Sequence, residues 1–208
     1  MTEEDAKAAL NVSGETLERL GRFVDLLRSE NSRQNLVSHG TLPTVWARHI
    51  LDSAQLLRFA PVSGDWLDLG TGAGFPGLVV AALRDQGLVT MVESRRLRVE
   101  FLQRAAEILV LGARAEIVCG KVEALPPRPY GVISARAFAP LDKLLRLGLR
   151  FSDPNTVWIL PKGKNAQSEL EGARSSWQGD FRIEPSVTDA EAGIIVAQGV
   201  KPKRNMAR

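Results

Sequence analysis

The hydrophobic positions of this chain change period once, near residue 60. Before that point they recur at helical spacing, first as Leu17, Leu20, Phe23, Val24 and Leu27, then as Trp46, Ile50, Leu51, Ala54 and Leu57. A polar stretch from Asn31 to Pro43, containing Asn35-Leu-Val-Ser38, separates the two stripes. From Asp65 onward, short apolar runs alternate with longer amphipathic segments, the texture of an α/β sheet. These runs predict strands near 66–69, 88–93, 115–119, 131–135 and 156–160, and helices near 76–85, 95–110, 140–149 and 165–176. Strands around 181–187 and 193–200 are expected to finish the sheet as a hairpin, with Glu191-Ala-Gly193 at the turn. The helix from Arg95 should bury Leu97, Phe101, Leu102, Ala105, Ile108 and Leu109 and end at Gly112. The expected organisation is a helical N-terminal cap, residues 1–60, on one compact α/β unit, residues 61–208.

The segment that carries chemistry is Asp68-Leu-Gly-Thr-Gly-Ala-Gly-Phe-Pro-Gly77. It follows the apolar Trp66-Leu67 and precedes Leu78-Val-Val-Ala-Ala-Leu83, so it reads as strand, glycine turn and helix, with Pro76 opening the helix. Glycines admit positive φ and let a ligand approach the backbone. In open α/β sheets such a loop, at the carboxyl end of a strand, binds nucleotide-like cofactors. Gly72, Gly74 and Gly77 satisfy G-x-G-x-x-G, and Glu93 follows about 20 residues on, where it can hold a ribose. Alone, that pattern suits the dinucleotide of an NAD(P)-dependent oxidoreductase. Two features oppose it. Asp68 puts a carboxylate where a pyrophosphate would be repelled, and Pro76 removes a backbone donor that a pyrophosphate wants. S-adenosylmethionine has no phosphate but carries a ribose, an ammonium and a sulfonium, so a nearby carboxylate favours it. Asp-x-Gly-x-Gly-x-Gly with a later strand-end Glu resembles motifs I and II of the Rossmann-like methyltransferases.

Composition narrows the partners. The 208 residues suffice for one substantial domain, and shares of 44% hydrophobic and 25% charged residues are ordinary for a globular protein. No apolar run approaches the ~18 residues of a membrane span, and the acidic N-terminus has no signal-peptide core. A single cysteine, Cys119, excludes an internal disulfide and reads as a small buried strand residue. With only His39 and His49 besides, no metal centre is expected, and the cytoplasm is the expected compartment. The net charge of +3 is modest, but its placement is informative. Lys201, Lys203, Arg204 and Arg208 crowd the last eight residues, Arg95, Arg96 and Arg98 follow Glu93, and Lys162 and Lys164 flank Gly163. Arg22, Arg33 and Arg48 add to the cap, so the expected partner is a polyanion whose phosphates Lys162, Lys164 and the tail contact.

Further segments fall at expected strand ends: Cys119-Gly-Lys-Val-Glu-Ala-Leu-Pro126, Ile133-Ser-Ala-Arg-Ala-Phe-Ala-Pro140 and Leu160-Pro-Lys-Gly-Lys164. With Arg48-His-Ile-Leu-Asp-Ser53 before the first strand, Asn35-Leu-Val-Ser38 and the glycine loop, they resemble the RsmG (GidB) family from about residue 30 onward. Lys121 stands where that family often has arginine, which puts a bidentate contact there in doubt. The resemblance implies a class I S-adenosylmethionine-dependent methyltransferase fold, with residues 61–208 as the donor-binding domain under a helical N-terminal cap. It implies a monomer away from membranes that methylates N7 of guanine 527 (standard nucleotide numbering) in 16S ribosomal RNA or the small ribosomal subunit.

Carried over to this chain, the resemblance implies a site. Gly70, Gly72, Gly74 and Phe75 line the methionine side of the donor, with Asp68 beside the turn. Glu93 holds the ribose hydroxyls, Val122 and Glu123 flank the adenine, and Arg136 lies beside the cofactor where the base arrives, as the catalytic candidate. The bland readings are Glu93 paired with Arg95 or Arg96, Glu123 as a surface acid, and Arg136 in an ion pair with Asp52 or Asp68. His49 reads as a packing or hydrogen-bonding residue rather than a base. Guanine N7 bears a lone pair and no proton, so no general base is required, and no acid–base dyad is visible. A small-molecule methyltransferase, an oxidoreductase and a nucleic-acid-binding module without catalysis stay open as alternatives.

Overall fold

The structure, a computed structural model, describes residues 1–203. All residues of β1 (Trp66–Leu69) and β2 (Val89–Glu93) are buried, which is why these strands read as unbroken apolar runs. They pair in parallel with each other, β2 with β3 (Ala115–Cys119), β1 with β4 (Val132–Ser134), and β4 with β5 (Val157–Gly163). An antiparallel pair closes the sheet, β7 (Gly193–Pro202) lying between β5 and β6 (Trp177–Pro185). The order is therefore β3-β2-β1-β4-β5-β7-β6, and the chain reverses its direction of growth between β1 and β4. That switch point, at the carboxyl ends of the strands, is where such sheets leave a crevice.

The cap consists of α1 (Glu3–Leu10), α2 (Gly14–Gln34) and a compact run from His39 to Phe59 that includes α3 (Asp52–Ala54). Thr2 and Ser13 accept the first free N–H groups of α1 and α2. On the sheet, α4 (Gly77–Leu83) and α5 (Arg96–Ile108) follow β1 and β2, while α6 (Leu141–Gly148) and α7 (Ala166–Ala173) follow β4 and β5. Alternation along β1 sends Trp66 into one core and Leu67 and Leu69 into the other. The first core joins cap to sheet, since the Phe23 ring lies 5.6 Å from Phe75 and 6.3 Å from Phe101.

Several boundaries differ from the expected ones for physical reasons. The second cap stripe is a π-helical turn, Trp46–Leu51, whose wider pitch turns Trp46, Ala47, His49, Ile50 and Leu51 all inward. Pro76 precedes α4 rather than opening it and is joined to Phe75 by a cis peptide. On α5, Leu97 is 62% exposed because α2 ends at Gln34, whose side chain bonds the Leu97 carbonyl. That helix is closed by Val110 at φ 53°, with Leu111 N–H on the Ala106 carbonyl and Val110 N–H on that of Glu107, ahead of Gly112. The edge strand β6 begins at Trp177, earlier than its apolar residues suggest, and Cys119 is exposed because β3 forms the opposite edge. No helix among the described residues is long and apolar enough to cross a membrane.

Candidate active site

The glycine loop is fixed from below. Asp68 is wholly buried; its Oδ2 accepts the Gly77 N–H at 3.0 Å and its Oδ1 the Ser134 hydroxyl at 2.7 Å, which in turn accepts Trp66 Nε1–H. Burial raises its pKa, and these donors oppose the shift. Asp68 lines neither of the two cavities described below; it anchors the first N–H of α4 and ties β1 to β4. Gly74 is a packing residue too, since at φ +87° a Cβ would lie 2.2 Å from Leu78 Cδ1. Phe75 is buried between His49, stacked at 5.0 Å, and the Arg136 guanidinium, 5.1 Å from the ring centre. Neither Gly74 nor Phe75 lines either of the two cavities described below.

One cavity of about 480 Å³ opens over the loop, lined by Gly70, Glu93, Lys121, Val122 and Glu123 among others. Gly70, at φ +65°, has the Phe138 ring where its Cβ would be, 2.2 Å from Cδ2. Gly72 does not line this cavity, but its N–H donates to Glu93 Oε2 at 3.1 Å, while Arg95 N–H donates to Oε1 at 2.8 Å. Arg98 Nη1 stands 3.8 Å from the same carboxylate, so backbone groups and Arg98 replace the expected pairing with the Arg95 or Arg96 side chains. Two carboxylate oxygens offer about four acceptor positions, so capacity remains for two hydroxyls. Val122 is buried and Glu123 exposed, both on the short turn Val122–Ala124.

A second cavity, a cleft of about 660 Å³ under the cap, shares Ala137, Phe138 and Ala139 with the first. Arg136, expected beside the cofactor where the base arrives, lines this cleft. Its Nη1 donates to Asp52 Oδ2 at 3.4 Å and to the Arg48 carbonyl at 3.3 Å. Burial lowers its pKa, opposed by the charges of Asp52 and Asp68, so of the two expected partners Asp52 makes the contact. Asp52 Oδ1 also accepts from Thr188 and Gln55, each at 2.8 Å, and Arg48 pairs with Asp189 at 2.7 Å. Burial, then the charges of Arg136 and Arg48, press the His49 pKa to about 3, so the ring is uncharged and a weak base.

Lys162 was expected on phosphate and is not there. Its side chain is 8% exposed, with Nζ donating to the Ala139 carbonyl at 2.8 Å and pairing with Glu169 at 2.9 Å; Glu169 also accepts Leu141 N–H. Lys162 thus clamps the wall between the cavities. Lys164 is exposed, and of the basic tail Arg204 and Arg208 lie outside the described residues. Phe138, Glu169, Thr188 and Asp189 had no individual signal beyond membership of a quoted motif or a polar turn.

A glycine turn after β1, a carboxylate at the end of β2 facing it, and a parallel sheet closed by an antiparallel pair define a class I S-adenosylmethionine-dependent methyltransferase fold. Solved structures with this fold include an O-methyltransferase from Bacillus cereus in complex with SAH, at TM-score 0.64 and 17% identity over 94% of this chain and 96% of that one. A tRNA methyltransferase from B. subtilis matches at TM-score 0.56 and 12% identity, over 71% and 65%. The chain belongs to the family described as rRNA small subunit methyltransferase G (GidB), whose profile matches residues 16–195. Ribosomal RNA small subunit methyltransferase G of Novosphingobium aromaticivorans is 53% identical, covering 100% of this chain and 94% of the relative. The protein of that name from Rhizorhabdus wittichii is 49% identical, over 98% and 95%.

Proposed function

We propose that this chain, a ribosomal RNA methyltransferase by family, transfers a methyl group from S-adenosylmethionine to N7 of a guanine in 16S ribosomal RNA. The donor lies in the glycine-loop cavity and the base in the cap cleft. The observation that carries this reading is the pair of cavities meeting at Ala137–Ala139, one with a backbone-held carboxylate and the other rimmed by Arg48 and Arg136. The residues present fit the donor: Glu93 keeps free lone pairs for ribose hydroxyls, Val122 offers an apolar face to the adenine with Glu123 beside it, and Gly70 lines the same cavity. When bound, the donor supplies an electrophilic methyl on a sulfonium.

The chain's own task is then alignment and charge. N7 attacks through a lone pair without losing a proton, so the cleft needs no base, and His49, its pKa pressed to about 3, is a weak one. Arg136 must leave N7 free, so its guanidinium serves the neighbouring O6 or a phosphate. As positive charge moves onto the guanine ring, the Asp52 carboxylate behind Arg136 keeps the cleft from becoming too cationic. Exposed Arg95, Arg96 and Lys164 are left for the RNA backbone.

The test is methyl transfer from labelled donor to small-subunit RNA and to assembled subunits, followed by nucleoside mass analysis and cleavage mapping. Label in 7-methylguanosine at a single position supports the reading; label in another nucleoside, or none, refutes it.

A further inference from the structure

The arginines and lysines of the two cavities are treated in opposite ways. In the cleft each is already paired: Arg48 with Asp189 at 2.7 Å, Arg136 with Asp52 at 3.4 Å and Lys162 with Glu169 at 2.9 Å. Around the donor cavity they are not. Arg95, Lys121 and Lys143 line it and are exposed, and none of their side chains has a hydrogen-bond or ion-pair partner among the described residues. Arg98 has only its 3.8 Å approach to Glu93. A neighbouring concavity of about 360 Å³ continues the wall, sharing Arg95 and Arg98 and adding Arg33 and Arg96. Across both, six cations stand against two carboxylates, Glu93 and Glu123. Glu30 at 3.2 Å and Glu100 at 3.4 Å offset only Arg33 and Arg96.

The donor does not account for this excess. S-adenosylmethionine carries a sulfonium and an ammonium against one carboxylate, so a ring of unpaired cations repels it on balance. Its carboxylate can occupy one of them, not all. A polyanion meets such a set readily, since no ion pair has to break first and the phosphates release their counterions.

The sheet order fixes where these cations stand. In β3-β2-β1-β4, Lys121 follows β3 and Arg95 follows β2, on one flank of β1, whereas Lys143 lies in α6 after β4, on the other. The glycine loop after β1 lies between them. A chain that touches all three therefore spans the opening of the donor cavity.

We propose that the sugar–phosphate backbone beside the target base crosses the mouth of the donor cavity on Arg95, Lys121 and Lys143, so that substrate RNA closes over the bound donor. This placement rests on the reading that the donor occupies the glycine-loop cavity. The phosphates also neutralise the cations that repel the donor, so RNA and donor hold each other in place. Donor enters before RNA, and S-adenosylhomocysteine leaves after it.

The experiment uses whichever of small-subunit RNA and assembled subunits the wild type methylates. The wild type is compared with the triple variant Arg95→Gln, Lys121→Gln, Lys143→Gln, with S-adenosylhomocysteine binding in the absence of RNA as the check on folding. RNA affinity is measured over a salt series, and release of labelled S-adenosylhomocysteine is followed by chase with and without saturating RNA. Loss of three phosphate contacts should make the slope of log affinity against log salt shallower by about two. RNA should slow release from the wild type by about tenfold, within the usual range of coupling between two sites, and should not slow it in the triple variant. An unchanged salt slope, or a release rate that RNA leaves alone in the wild type or slows equally in both proteins, overturns the proposal. If instead Glu93→Ala binds S-adenosylhomocysteine as the wild type does, the placement of the donor fails, and with it the reading on which the proposal rests.

Discussion

The two cavities that meet at Ala137–Ala139 are built by different means. On the glycine-loop side, the decisive carboxylate, Glu93, is held by the N–H groups of Gly72 and Arg95, and the loop itself by Asp68 through Gly77 N–H and Ser134. On the cap side, geometry is set between side chains from distant parts of the chain. Arg48 reaches Asp189 across 141 residues of sequence and Asp52 reaches Thr188 across 136. Backbone donors cannot rotate away, so the first site is stiff and generic. Side-chain networks are coupled, so the second is specific and sensitive to single substitutions.

A large effect expected from this contrast is on acid stability, and it belongs to the cap side. The His49 pKa is about 3 in the folded chain against 6.5 for an unperturbed group. Below pH 6.5 the unfolded chain takes a proton that the folded chain refuses, so this group's contribution to stability falls as pH falls towards 3. The loss is about 1.4 kcal/mol per pH unit, roughly 2 kcal/mol between pH 6.5 and 5. Urea unfolding at these two pH values should show the decline to be smaller by that amount in His49→Gln. An equal decline in both proteins would mean that the ring is not buried neutral.

A smaller effect is expected at the shared wall. Lys162→Met removes the cation clamping Ala139 and leaves Glu169 holding only Leu141 N–H, so both cavities should suffer. Donor affinity and turnover should each drop about tenfold, near 1.4 kcal/mol. A loss confined to RNA affinity would restore Lys162 as a phosphate contact. Smallest is the rim. The Arg48–Asp189 pair is half exposed, so Asp189→Asn should change turnover by less than about fivefold, and more at low salt than at high. A hundredfold loss would show the turn after β6 to be part of the machinery itself.

The same contrast explains what could be read from the sequence. The glycine loop and Glu93 were legible because one strand, one turn and one strand-end acid occur at local, fixed spacing. The central strands were legible because burial on both faces makes their runs continuous. Asp68 was found but its bonds to Gly77 N–H and Ser134 were not, since an acid at a strand end reads alike whether it meets a ligand or a helix N–H. Leu97 and Cys119 were misplaced because periodicity does not say where the covering helix stops or which strand forms the edge. The cleft was nearly invisible, since Thr188 and Asp189 acquire meaning only opposite Asp52 and Arg48. The π-helical turn that aims His49 inward breaks the period by which such residues are found.

The central claim is that donor binding and base alignment are divided between Glu93 on one side of the wall and Arg136 on the other. It is tested most directly by measuring S-adenosylhomocysteine affinity and single-turnover methyl transfer at saturating donor for Glu93→Ala and Arg136→Ala. Glu93→Ala should lose roughly 1.5–3 kcal/mol of affinity, as for hydrogen bonds to a charged group, and keep most of its rate once donor is saturating. Arg136→Ala should bind the analogue as the wild type does and transfer methyl about a hundredfold more slowly, with Arg136→Lys recovering only part of the loss. Equal losses of affinity and rate in both variants, or a near-normal rate in Arg136→Ala, would contradict the division.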